Sequence, residues 1–217
     1  FQRFIQFQLT VNLVAFFIAV ISQVLDQSMP FTTIQLLWVN IIMDGPPALA
    51  LGLEPVRRSV LNRKPVNRNA SIITKTMLIT IICNALAISG ILLVQMILNP
   101  LGATPEEAET VLFGLFAFLA LFNAFNCREM GKASIVPHFL ANKVALEIIG
   151  GTAVAQLVFT QFCNQFFNTV PLSVGMWCKV IGSAAMIIVI DEVVKFVVRL
   201  VTGTQTQSAS EPAKINA

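Results

Sequence analysis

The segment Trp38–Gly52, WVNIIMDGPPALALG, sets an Asn, an Asp, two prolines and two glycines inside an otherwise apolar run. An ionisable group at membrane depth is costly, so its presence there points to a function. Asp44 lies near the middle of the run and Asn40 precedes it by four residues, which puts both side-chain oxygens on one helix face. Pro46 and Pro47 follow almost at once. They have no N–H and leave carbonyls without helical donors. Carbonyls of that kind are tolerated at membrane depth only where they line a protein-enclosed or wet cavity. A carboxylate, an amide oxygen and freed carbonyls form the donor set of a hard-cation site, and interrupted helices near the midplane are one way to build such sites. The plain alternative is a proline-kinked helix whose Asp pairs with a lysine or bonds backbone. No basic residue falls near Asp44 within the apolar runs.

Asn12, in LTVNLVAF, is a second candidate ligand. A lone Asn in such a setting more often makes an interhelical hydrogen bond; its position one span before Asp44 favours the site. Asn123 and Asn126 in FNAFNCRE read as interhelical hydrogen bonds and interface anchors. Gln161, Asn164, Gln165 and Asn168 have the spacing of one helical stripe, a wetted or packing face. Asp191, Glu192, Lys195 and Arg199 read as a salt-bridge ladder near the cytoplasmic interface. His138 stands alone in a loop. Cys83, Cys127, Cys163 and Cys178 form no CxxC pair and read as buried free thiols.

The elements that must carry these residues are membrane helices. The hydrophobic fraction is 56% and the charged fraction 12%, against about 25% charged in soluble domains. Six apolar runs, roughly 4–25, 31–53, 72–98, 108–127, 143–167 and 173–200, each approach the ~20 residues that cross a bilayer core as a helix. The expected fold is an all-α membrane bundle of six transmembrane helices over residues 1–200, followed by a disordered cytoplasmic tail, 201–217. The linker 54–71 holds five Lys and Arg and the linker 128–143 three, whereas 26–30, 99–109 and 168–173 hold none. Basic loops face the cytoplasm, so both ends are expected there. Lys179, near the outer start of the last run, is expected to snorkel to the interface. The sequon Asn69–Ser71 falls in a cytoplasmic loop and is expected to stay unmodified. The opening FQRFIQFQL has no signal-peptide pattern and suggests a piece of a longer chain.

These residues also carry a family resemblance. IQLLWVNIIMDGPPALALGLEP (34–55) resembles the sixth membrane helix of P-type calcium-transporting ATPases. QFQLTVNLVAF is similar to the fifth helix of the plasma-membrane-type branch, FNAFNCRE to the eighth and DEVVKFVVR to the tenth. The resemblance implies that the six spans correspond to the fifth to tenth helices of the pump. It implies that Asn12, Asn40 and Asp44 supply oxygens to one transported calcium ion, with the Gly45-Pro46-Pro47 break allowing helix movement. Ala15, Met43 and Ala120 stand where the reticulum-type branch has oxygen-bearing residues, which fits a one-calcium pump. The DGPPA run is closer to the reticulum type than to the usual animal plasma-membrane form.

The same resemblance implies partners outside this sequence. The upstream helices and the cytoplasmic ATPase domains, with their ATP and magnesium, are absent from it. The bilayer is the other partner, and no nucleic acid is expected. Calcium takes six to eight oxygens, so these residues alone are expected to bind it weakly and not to hydrolyse ATP. Manganese accepts the same hard ligands. The membrane is expected to be the plasma membrane or an internal calcium-store or vacuolar membrane. Two other classes stand beside the pump: a six-helix channel or secondary carrier using the same Asp, and a structural membrane scaffold in which Asp44 pairs internally.

Overall fold

The computed structural model describes residues 1–43, 45–53, 72–128 and 142–201, with side chains as far as Val197. Every regular element among them is helical. In chain order these are α1 (Gln2–Val24), α2 (Thr33–Trp38), a π-helical turn (Val39–Met43), α3 (Gly45–Gly52), α4 (Lys75–Leu98), α5 (Ala108–Arg128), α6 (Lys143–Phe162), α7 (Asn164–Phe167) and α8 (Val174–Val201). Among the described residues five stretches are long and apolar enough to cross a membrane: α1, Thr33–Gly52 taken together, α4, α5 and α6. The chain is therefore a multi-pass, all-helical membrane protein. The basic linker 54–71 with its sequon, most of 128–143 with His138, and the tail beyond 201 lie outside the described residues.

The bundle is organised around α5. It packs against α1, α3, α4, α6 and α8, and 94% of its apolar window is buried. A helix that is apolar all round has no face to give to water and is enclosed by its neighbours. α8 comes close at Gly114, where a Cβ would stand 3.1 Å from Cζ3 of Trp177. Gly114→Leu would push the indole off the helix, at about 1–3 kcal/mol of overpacking. We expect a lowered thermal midpoint of the purified protein, and an unchanged midpoint would show that α8 yields freely there.

Local chemistry sets the helix ends. Thr74 Oγ1 accepts from Met77 N–H at 3.1 Å and Asn142 Oδ1 from Ala145 N–H at 3.1 Å, each meeting a donor that the first turn leaves open. Asn99 closes α4 in the left-handed region, φ 46°, and its Oδ1 accepts from Gln95 and from Ala103 N–H. Lys179 reaches back to this linker and donates to the Leu101 carbonyl at 2.9 Å.

The run 143–167 is not one helix. It stops at Phe162, turns at Cys163 and resumes as the single turn α7, after which Asn168 takes φ 52°. Gln161, Asn164, Gln165 and Asn168 therefore share no helical stripe. Gln161 instead clasps the next strand of chain: its amide donates to Leu172 O and its Oε1 accepts from Leu172 N–H and Trp177 Nε1. All four cysteines are unpaired, but only Cys127 is fully buried and Cys178 is exposed.

Candidate cation site

The first half of the second span is clamped on one side. Thr32 and Gln35 form a capping box at the start of α2, and Gln35 Nε2 donates to Phe167 O at 2.9 Å. Trp38 Nε1 donates to Gln156 Oε1 on α6 at 2.7 Å, with its ring 4.8 Å from that of Phe159 and 5.0 Å from that of Phe167. Beyond this anchor the helix changes pitch into the π-helical turn Val39–Met43. Such turns are often found at functional sites.

The irregularity thus lies ahead of Gly45 rather than at the prolines. Pro46 and Pro47 occupy the first turn of α3, where a missing N–H removes no helical bond of that helix. Their effect falls upstream. The carbonyls of Ile42 and Met43 would accept from residues 46 and 47 in a regular helix, and prolines offer no donor there.

Asn12 and Asn40 both lie on uncovered faces. Asn12 sits in a row with exposed Leu9, Phe16 and Val20, opposite the buried Phe7, Val11, Val14 and Ile18. Asn40 lies within the π-helical turn beside exposed Leu37 and Ile41. Neither side chain bonds another described residue. The span that carries Asn40 is a neighbour of α1, which packs on α3, the segment of that span beyond the turn. Asp44, the third candidate, lies outside the described residues. Met43 and Ala120, by contrast, point into the core. Among the described residues no three His, Cys, Asp or Glu side chains gather.

A second polar group is enclosed by neighbouring helices, which its spacing did not indicate. The salt bridging expected along 191–199 is present for Asp191 and Lys195. They form an ion pair of 2.6 Å whose side chains are 0% and 2% exposed. Asn84 on α4 donates to Asp191 Oδ1 at 2.9 Å and approaches Asn123 Oδ1 at 3.4 Å. Asn126 donates to Ile187 O, and Lys195 donates to Asn126 O. The interhelical bonding expected of Asn123 and Asn126 is present, with α8 and α4 as the partners. The pair is buried because α8 and α4 both pack against α5, which its neighbours enclose. The sequence did carry one signal, Asn84 in the middle of ICNALAISG.

Residues 28–197 match the family described as Cation transporting ATPase, C-terminus. The chain belongs to this family. Curated relatives of this cation-transporting ATPase region include a plasma membrane-type calcium-transporting ATPase of Oryza sativa subsp. japonica, 38% identical over 86% of the chain and 19% of the relative. Calcium-transporting ATPase 4, plasma membrane-type, of Arabidopsis thaliana is 38% identical over 87% and 19%. Plasma membrane calcium-transporting ATPase 3 of Homo sapiens is 33% identical over 85% and 16%. The ATPase region described here thus spans under a fifth of the length of these relatives.

Proposed function

We propose that this chain is the ion-translocating membrane part of an ATP-driven calcium pump, with Asn12, Asn40 and Asp44 supplying side-chain oxygens to one transported calcium ion. The observation that carries this reading is the π-helical turn: it holds Asn40 on an open face directly ahead of Asp44 and of two prolines that free the carbonyls of Ile42 and Met43. An uncapped amide facing hydrocarbon is unfavourable. Two such amides, Asn12 and Asn40, on neighbouring spans support a surface that further helices of the same protein cover, completing the six to eight oxygens calcium needs.

In this reading α8 is the sixth span, and the six helices correspond to the fifth to tenth of the pump. Both ends of the chain are cytoplasmic, in the plasma membrane or in an internal store or vacuolar membrane. ATP and magnesium act in cytoplasmic domains outside this chain, and the Gly45-Pro46-Pro47 break is where the second span flexes between states.

Asn40→Ala in the full-length pump tests the ligand set. ATP-driven calcium-45 uptake into vesicles is expected to need about tenfold more free calcium for half-saturation, the equivalent of ~1.4 kcal/mol. An unchanged calcium dependence removes Asn40 from the site.

A further inference from the structure

We infer that the groove between α4 and α8 is a phospholipid site, with one acyl chain lying along it and the lipid phosphate at the Lys179 ammonium. The inference rests on α8 crossing the bilayer as the sixth span and is independent of the proposed calcium ligands.

The groove has a volume of about 480 Å³, within the range of small-molecule sites. α4 lines it with Ala87, Gly90 and Val94, α8 with Ser183 and Met186, and the buried Leu115 of α5 lies at its back. Gly90 holds it open: a Cβ built there meets no atom within 4 Å. From Gln95 at the mouth to Ala87 at the bottom, α4 runs roughly 12 Å, close to the depth of one leaflet of a ~30 Å bilayer core. The bottom is shut. Asn84, one turn deeper on α4, donates to Asp191 of α8 at 2.9 Å, so the two helices meet there. An apolar groove one leaflet deep with a closed end seats an acyl chain; a spanning helix needs the whole thickness.

The mouth carries the charge. Gln95 uses its amide on Asn99 and on Leu101 N–H, so it adds no free polar atom to the groove. Lys179, one turn before Ser183 on the same face of α8, is exposed and donates to the Leu101 carbonyl at 2.9 Å. Leu101 itself lines the groove, so this bond fixes the ammonium at the opening. It uses one of three N–H donors, and no carboxylate among the described residues pairs with Lys179. The other donors are left for an anionic oxygen, and a lysine at the end of a span sits at the level of the lipid headgroups. Ser183, one turn deeper, offers a hydroxyl at the level of the ester oxygens.

The test is the full-length protein in maltoside detergent, titrated with phosphatidylcholine that carries a photoactivatable acyl chain, with labelled peptides mapped by mass spectrometry. The wild type is expected to label saturably at 87–94 and 183–186, and without saturation at Val189 and Val193, which are exposed on α8. Unlabelled phosphatidylcholine is expected to compete for the groove and cholesterol is not. Lys179→Gln keeps an N–H for the Leu101 carbonyl and loses the charge. It is expected to need about fivefold more lipid for half-saturation, and Lys179→Arg to match the wild type. Gly90→Leu fills the groove without weakening α4 and is expected to abolish the groove label while leaving that at Val189 and Val193. Groove labelling that does not saturate, or that either Lys179→Gln or Gly90→Leu leaves unchanged, overturns the inference, since the lipid is then only part of the surrounding annulus. Displacement by cholesterol overturns it too. Label at Val189 and Val193 with none in the groove overturns this inference alone, whereas no label anywhere on α8 overturns the sixth-span reading as well.

Discussion

Under the proposed calcium reading, Asp44→Asn in the full-length protein is expected to raise the free calcium needed for half-maximal uptake by at least about thirtyfold. The substitution keeps the size and one oxygen of the side chain and removes only the charge. Taking one partner out of a buried charged contact costs about 2–5 kcal/mol, and the lower figure is already some thirtyfold. Asp44 lies outside the described residues, but the described chain flanks it on both sides: the π-helical turn with Asn40 before it, and Gly45 with the two prolines after it. The measurement is calcium-45 uptake over a range of free calcium, at matched amounts of inserted, monodisperse protein. Uptake with an unaltered calcium dependence would make Asp44 structural and move the ion elsewhere among the helices.

The second large effect concerns stability. Asp191→Ala strands the Lys195 ammonium, only 2% exposed, without its counter-charge. Breaking a buried pair from one side costs about 3–5 kcal/mol, whereas replacing both members by apolar residues of similar volume is often neutral or stabilising. Asp191→Leu combined with Lys195→Met should therefore recover most of the thermal midpoint that Asp191→Ala loses. Equal losses in the two proteins would mean that the charges are not coupled, and that Asp191 matters through its bond to Asn84 alone.

The parts of this fold that follow from local rules were legible in the sequence. Long apolar runs gave α1, α4 and α5 nearly to their ends, and the mixture of Asn, Asp and proline in 38–52 gave the interrupted second span. The π-helical turn just ahead of the prolines was not read, because proline acts on carbonyls one turn upstream of itself while fitting easily into a first turn. The burial of Asp191 and Lys195 could not be read from spacing. Four residues apart, the same pair serves on a wet helix face or inside a bundle, and what separates the cases is a neighbour's surface. Here that neighbour is α5, with Phe113, Leu119 and Ala124 all fully enclosed. The end of α6 at Phe162 was hidden for a similar reason: the side chain that receives the returning chain, Gln161, bonds Leu172, eleven residues on.

The pairing of Asp191 with Lys195 inside a single helix also bears on biogenesis. Two ionised side chains delivered to a bilayer separately would each oppose integration, by about 2.5–3.5 kcal/mol at a helix centre. On α8 they meet as soon as the turn between them forms, before any other helix has been found. In the reading that makes α8 the sixth span, the helix brings this counter-ion with it, and the pair adds no net charge to be inserted. Asn84 and Asn126 then have only to recognise it, so helix insertion and bundle closure become separable steps.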